Sequence, residues 1–469
     1  MTAFLYANRK VLDMEREKFK SRLGFILISA GCAIGIGNVW RFPYVVGNNG
    51  GCIFVLLYLL FLVIFGVPIM TMELAVGRAS RASAVRSFNI LEKPGSKWHL
   101  HGKLAITANY VLMFFYTTIA GWMLYYFYGM LTGKFQNSTT ESIIRTFENL
   151  TQSPGTMILF SFIIIILGFG ICSLGLQKGV EKITKFMMIA LLIIMVVLAV
   201  NSIFLENGSE GLKFYLIPNV DAVKEIGFFT VVAQAMNQAF FTLSVGIGSM
   251  AIFGSYIDKK SSLLGEAITI ASLDTFVAIV AGLIIFPACF AYGVQPDQGP
   301  SLIFITLPNI FNEMPNGHIW GGFFFLFMTF AAFSTVIAVF ENLMSMCMEI
   351  AGWSRKKAAI INIIIVCIGS LPCILGFNLL SGFTPFGPGS NILDLEDFFV
   401  SNLALPFGSM VYAVFCMSRY GWGSENYYAE VNEGNGLKMP KFLRPYLTYA
   451  VPLIIIILII YGIWTKFFM

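Results

Sequence analysis

The segment Gly31 to Pro43, reading GCAIGIGNVWRFP, interrupts the first long apolar run of the chain, residues 23 to 45. Gly31, Gly35, Gly37 and Pro43 crowd into it, and each interior glycine costs a helix about 1 kcal/mol relative to alanine. A helix opened in hydrocarbon exposes N–H and C=O groups that no water reaches, so such a break survives only buried in protein or lining a cavity. There, freed carbonyls hold a cation, and freed amides at a half-helix N-terminus attract a carboxylate. Arg41, the one basic residue of the run, costs about 2.5 to 3.5 kcal/mol near mid-membrane on insertion scales and therefore belongs beside a wet pathway. A continuous helix that packs through small residues is the competing reading.

Hydrocarbon is the right medium to assume. The 469 residues are 57% hydrophobic and 12% charged, against about 25% charged in a soluble domain. Eleven apolar runs are long enough to span a bilayer: 23–45, 52–77, 104–132, 155–173, 177–204, 225–256, 262–291, 319–350, 357–376, 391–419 and 443–465. With the N-terminus cytoplasmic, 24 of the 30 basic residues fall on cytoplasmic segments; the exceptions are Arg41, Lys134, Arg145, Lys213, Lys224 and Lys466. This alternation supports both the span count and an external C-terminus. Residues 1 to 22 are basic without a separate apolar core or small-residue cleavage site, so no removable signal peptide is expected. The net charge of +5 follows from the cytoplasmic excess and calls for no nucleic acid. The eight cysteines lie in or beside apolar runs without metal spacing and read as small hydrophobes.

Several positions inside the runs carry chemistry. Glu73 closes the second run and reads as support, accepting backbone amides from a neighbouring broken helix. Leu112 and Tyr116 share a face of the third run, while Trp122 and Tyr125 read as residues at interface depth. The external loop 133–154 holds weak Asn-X-Ser/Thr triplets at Asn137 and Asn149. The sixth run repeats the device of the first: QAFFTLSVGIG, 238 to 248, brings hydroxyls and paired glycines to mid-run. Broken segments five spans apart point to an inverted repeat with a binding site at the membrane midplane. Asp274 is a lone carboxylate in the seventh run, and Ser334 and Thr335 are adjacent hydroxyls in the eighth, followed by Glu341 and Glu349. Such hydroxyls often do no more than bond the preceding helical turn. An amphipathic piece, Ser301 to Phe311, is placed to act as an external lid.

GCAIGIGNVWRFPY (31–44), GVPIMTMELAVGR (66–78), QAFFTLSVGIG (238–248) and AAFSTVIAV (331–339) together resemble the neurotransmitter:sodium symporter family, and within it the bacterial eleven-helix amino-acid transporters. The resemblance covers essentially the whole chain. It implies an all-α polytopic membrane protein of 11 transmembrane helices in a 5+5 inverted repeat, with helices 1 and 6 broken and one extra helix. The repeats would run about 23–204 and 225–419, the extra helix about 443–465, within one transporter domain. One sodium would take the carbonyl of Ala33, the side chain of Asn38, Thr242, Asp274 and the substrate carboxylate. A second would take the carbonyls of Gly31, Ile34 and Ala331 with the hydroxyls of Ser334 and Thr335. Oxygen-only ligation suits a hard cation. The substrate carboxylate would meet the amides near Gly35 and Gly37 and the Tyr116 phenol, with Ile36, Leu112, Phe241, Ser244, Ile247 and Val339 as side-chain wall. Arg41 with Asp397 resembles the outer gate, and Arg16 with Tyr256 and Glu349 the inner one.

Two departures bear on mechanism. The family often has asparagine where Asp274 stands, and chloride-independent members can carry a glutamate one turn further on, where this chain has Val277 and Ala278. Asp274 is therefore expected to supply the fixed negative charge itself. Many relatives also show glycine, nine residues, then proline in the fifth span; here Gly179 is followed by Ile189. The expected function is sodium-driven import of a hydrophobic or aromatic L-amino acid through a plasma (inner) membrane, chloride-independent, with two sodium ions and no organic cofactor. An amino-acid-sensing receptor that keeps the fold but has lost transport is the alternative, and a gated channel a third. No nucleophile, base and orienter arrangement supports an enzyme.

Overall fold

The computed structural model describes residues 19–293 and 302–467, all helices and connecting turns. In chain order these are α1 (Arg22–Ala33), α2 (Gly37–Asn48), α3 (Cys52–Ser80), α4 (Ala84–Leu91), α5 (Leu100–Leu131), α6 (Thr140–Gln152), α7 (Pro154–Ser173), α8 (Leu176–Ile203), α9 (Ser209–Leu216) and α10 (Val220–Ile226). There follow α11 (Phe228–Thr242), α12 (Ser249–Ser255), α13 (Leu263–Ala291), α14 (Leu302–Thr306 continuing as Leu307–Glu313), α15 (Gly317–Ala351), α16 (Arg355–Leu375), α17 (Ile392–Met417), α18 (Ser424–Val431) and α19 (Lys441–Phe467). Among the described residues nine helices are long and apolar enough to cross a membrane, and α1 with α2, bent by 54°, makes a tenth. The remaining expected run, 225–256, is divided into α11 and α12, neither of which reaches that length alone.

The irregular turns have a common cause. The π-helical stretches Gly37–Arg41, Leu62–Gly66, Leu302–Thr306, Phe398–Ala404 and Tyr446–Ala450 each end two residues before a proline: Pro43, Pro68, Pro308, Pro406 and Pro452. A proline ring collides with the carbonyl four residues back and offers no N–H to it. Widening the preceding turn relieves the collision without ending the helix. A further stretch, Leu176–Glu181, has no such proline and instead follows Gly175 at φ 97°. At its far end Glu181 accepts from the backbone N–H of Lys20 (2.8 Å) and the hydroxyl of Ser21 (3.1 Å), holding the start of α1. Ser21 in turn caps α1 through the amide of Gly24.

At the centre α15 packs against α5, α1, α7 and α8, while α12 packs against α3. That second contact is backbone on backbone: a Cβ on Gly77 would strike Ala251, and one on Gly254 would strike Leu74. Small residues allow this close approach where no hydrophobic force drives helices together. Trp122 departs from its expected interface depth: it is 2% exposed and meets Phe147, Phe304 and Phe377 edge-on. Its large apolar surface is buried among rings from α6, α14 and the turn after α16. Of the expected lid, Ser301 lies outside the described residues and the rest is helical α14, whose Phe304 seats among Trp40, Trp122, Tyr126 and Phe147. Seven of the eight cysteines are buried, none is in a disulfide, and no cluster of metal-ligating His, Cys, Asp or Glu occurs among the described residues.

Candidate functional site

The two breaks face each other in the core. Between α1 and α2 the chain runs extended at Ile34 (φ −70°, ψ 104°). Between α11 and α12 it turns through Ser244 (φ 51°), Gly246 (φ 103°) and Gly248 (φ 84°). The left-handed region costs an L-residue roughly 1 to 2 kcal/mol, so Ser244 carries strain of that order while the glycines do not. Glu73, 0% exposed, accepts from the amide of Gly246 at 3.0 Å, the supporting arrangement expected of it. Gln238 donates to the carbonyl of Gly37 at 3.0 Å, tying one break to the other.

Asn38, Thr242 and Asp274, expected around the first sodium, come together. Asp274 is fully buried; its Oδ1 accepts from Asn38 Nδ2 at 2.8 Å and its Oδ2 from the Thr242 hydroxyl at 3.0 Å. Asn38 Oδ1 accepts from the amide of Gly35 at 3.1 Å, fixing the direction of the side chain. Tyr58, which sequence reasoning did not select, adds a long contact of 3.4 Å to Oδ2. A charge with no water around it is held only by such bonds.

The five groups expected around the second sodium also converge. The Ser334 hydroxyl reaches the carbonyls of Ala331 (2.9 Å) and Ile34 (3.4 Å), and the Thr335 hydroxyl those of Gly31 (3.1 Å) and Ile34 (3.2 Å). The bond to Ala331 is the bland preceding-turn bond of a helical serine, but the other three cross from α15 to the end of α1. Three carbonyls and two hydroxyls thus lie within hydrogen-bond reach of one another, an oxygen-only set of the kind that suits a hard cation.

Ala33, Gly35, Gly37, Leu112, Tyr116, Phe241, Ser244 and Thr335 line a small cavity of about 20 Å³, together with Leu405, which nothing in the sequence singled out. Ile36, Thr242, Ile247 and Val339 are buried nearby but do not line it. The Tyr116 hydroxyl accepts from the amide of Ile36 at 3.0 Å. Phe241 forms part of the cavity wall, with the Arg41 guanidinium 4.2 Å above its ring.

The gates differ from expectation. Arg41 does not meet Asp397 directly: it donates to the Ser401 hydroxyl at 3.3 Å, which donates to Asp397 at 2.6 Å. Ser401 stands one helical turn beyond Asp397 and so fits between the two charges. At the other end Tyr256 donates to Glu341 at 3.1 Å, and Glu349 accepts from the hydroxyl (2.7 Å) and amide (3.0 Å) of Ser83. Arg16 lies outside the described residues. The cation that grips at this end is Arg355, itself partly exposed, which donates to fully buried Glu341 at 2.7 and 2.9 Å and also to the carbonyl of Cys172. Removing the cation leaves a fully buried carboxylate uncompensated, a loss that reaches about 3 to 5 kcal/mol. Arg355→Ala is accordingly expected to lower the unfolding temperature in detergent sharply, whereas Lys356→Ala, on the exposed surface, leaves it in place.

Residues 16–150 and 137–467 match the model of the sodium:neurotransmitter symporter family. An uncharacterised sodium-dependent transporter of Bacillus subtilis, YhdH, is 31% identical over 443 residues, covering 94% of this chain and 96% of that protein. One from Haemophilus influenzae is 30% identical over 470 residues, 96% of this chain and 99% of the relative. The crystal structure of MhsT in complex with L-phenylalanine is similar with a TM-score of 0.86 and 37% identity, covering 96% of this chain and all of that one. With the family model matched from residue 16 to residue 467, and relatives aligned along nearly their whole length, the chain belongs to the sodium:neurotransmitter symporter family.

Proposed function

We propose that this chain carries a hydrophobic or aromatic L-amino acid together with two sodium ions by alternating access, without a requirement for chloride. Its family is one of sodium symporters, not of enzymes. The observation that carries the finer reading is the pair of oxygen clusters on either side of one small cavity: Asn38, Thr242 and Asp274 on one, Gly31, Ile34, Ala331, Ser334 and Thr335 on the other. A substrate carboxylate beside Gly35, Gly37 and Tyr116 would lie within reach of the first. The wall formed by Leu112, Phe241 and Leu405 is apolar, so a charged side chain would be desolvated there at a cost of several kcal/mol. Occupancy of MhsT by L-phenylalanine agrees with an aromatic substrate.

Two sodium ions entering down 100 mV contribute about 4.6 kcal/mol, enough for roughly a 2,000-fold accumulation before any chemical gradient is added. In this reading the five-span halves, 23–204 and 225–419, rock about the two breaks, with 443–465 outside them and the N-terminus cytoplasmic. Arg41, Ser401 and Asp397 close the outer side. Proteoliposomes loaded with unlabelled tyrosine or leucine test the proposal: sodium should drive counterflow of the labelled amino acid, with competition strongest from aromatic and large apolar members of a twenty-amino-acid panel. Equal uptake when potassium replaces sodium overturns the coupling. Saturable binding with no counterflow identifies a sensor instead.

A further inference from the structure

We propose that the face bearing the basic loops carries a built site for the headgroup of an aminophospholipid, between α18 and the first turn of α19. A cavity of about 620 Å³ lies there, lined by Ser424, Glu425, Tyr428, Ala429, Asn432, Lys441 and Arg444. Residues 425, 428, 429 and 432 recur at helical spacing and so form one face of α18. Lys441 and Arg444 stand opposite, and no described carboxylate lies within salt-bridge distance of either.

Basic residues at the end of a span ordinarily report only topology. Three observations go further. The wall is framed: Asn432 donates to the carbonyl of Met439 (3.1 Å) and accepts from its amide (2.6 Å), and the Tyr428 hydroxyl donates to the carbonyl of Pro440 (3.2 Å). These bonds pin the loop against α18, and Lys441 and Arg444, both exposed, rise from its far end to line the same cavity. The Arg444 charge is felt across the gap, since it opposes the upward shift that burial imposes on the Tyr428 phenol. The charges are also mixed: two cations face one carboxylate, Glu425. A phosphodiester on Lys441 and Arg444, with a primary ammonium on Glu425, satisfies all three at once. A headgroup without the amine leaves Glu425 repelling the phosphate, and a quaternary amine offers it no N–H.

The apolar surface beside the cavity suits the remainder of such a molecule. Phe442, Tyr449, Leu453, Ile456 and Ile460 are all exposed and follow one another by seven, four, three and four residues. That spacing draws a single stripe along α19 from the cavity toward the opposite face. α18 itself is anchored: Arg78, fully buried, donates to Glu430 Oε1 at 2.6 Å and to the carbonyl of Ser261 at 2.8 Å. The site therefore sits on a fixed wall.

The test uses the full chain purified in detergent. Native mass spectrometry counts retained dioctanoyl phosphatidylethanolamine, phosphatidylcholine and phosphatidylglycerol, with free O-phosphoethanolamine as competitor. The proposal expects one phosphatidylethanolamine retained in preference to the other two, and binding about fivefold weaker in each of Lys441→Gln and Arg444→Gln. Arg444→Lys should keep most of the affinity, and Glu425→Gln should erase the preference over phosphatidylcholine. Wild-type retention in the Lys441→Gln, Arg444→Gln double variant overturns the site. Equal retention of the three lipids by the native chain overturns the amine assignment. Displacement by O-phosphoethanolamine at the lipid's own concentration shows a site for a soluble phosphate and overturns the lipid reading. The readout is retained lipid, so it stands or falls apart from transport.

Discussion

Asp274→Ser is expected to lower sodium-driven uptake at least a hundredfold in chloride-free medium, and to regain part of it when chloride is supplied. The carboxylate is wholly buried and takes bonds of 2.8 and 3.0 Å from Asn38 and Thr242. Hydrogen bonds to a charged group contribute about 1.5 to 3 kcal/mol each, so losing two weakens the assembled site by about 3 to 6 kcal/mol. That range corresponds to a hundred- to ten-thousand-fold. Serine is short enough to leave space where the carboxylate stood, and a small anion there would restore the missing charge. Initial rates in gluconate and in chloride, with sodium titrated in each, make the measurement. Unchanged uptake in gluconate would show that the fixed charge resides elsewhere.

Gly35→Ala should weaken substrate binding at least fivefold while leaving the protein folded. An added Cβ would run into the Tyr116 hydroxyl and would lie 2.5 Å from the Thr335 hydroxyl. Neither is the free end of a flexible chain: Tyr116 accepts from the Ile36 amide, and Thr335 is held by two carbonyls of α1. Overpacking of a fixed site costs about 1 to 3 kcal/mol, and here it falls on a cavity of only about 20 Å³. Scintillation proximity binding of labelled tyrosine or leucine is expected to fall between fivefold and 150-fold or below detection. Gly322→Ala is the control, because a Cβ there meets nothing within 4 Å. Comparable loss in both variants would attribute the effect to helix stiffening rather than to the cavity.

What the sequence made legible follows from spacing within a segment. Ala331, Ser334 and Thr335 stand at i, i+3 and i+4, so a helix puts them on one face whatever surrounds it, and Ser334 and Thr335 do meet the end of α1. Glycines at 246 and 248 announced a turn that has positive φ at both. Pairing across long separations was less accessible. Ser401 as the intermediary between Arg41 and Asp397 depends on sub-ångström placement of two helices. The grip of Arg355 on Glu341 is of the same kind, for Glu341 and Glu349 look alike in sequence and only burial separates them: one is fully buried, the other lies at the helix end beside Ser83. Leu405 shows no periodic or chemical signal for its place in the cavity wall, and the edge-on ring cluster around Trp122 needed the lid segment in place before its burial could be seen.

The turn through Gly246 touches α17 with no side chain between them: a Cβ on Gly246 would collide with the carbonyl of Leu405 and with Ser409, and one on Gly408 with the carbonyl of Gly246. Side chains are compliant because they exchange rotamers, whereas two peptide planes in contact have almost nothing to give. Mechanically this is a coupling without backlash. A displacement of the turn beside Glu73 would pass directly to α17, the helix that holds Ser401 and Asp397 against Arg41. An alanine at either glycine would act like grit in a gear, jamming the linkage or forcing in enough play that the two ends no longer move on the same stroke.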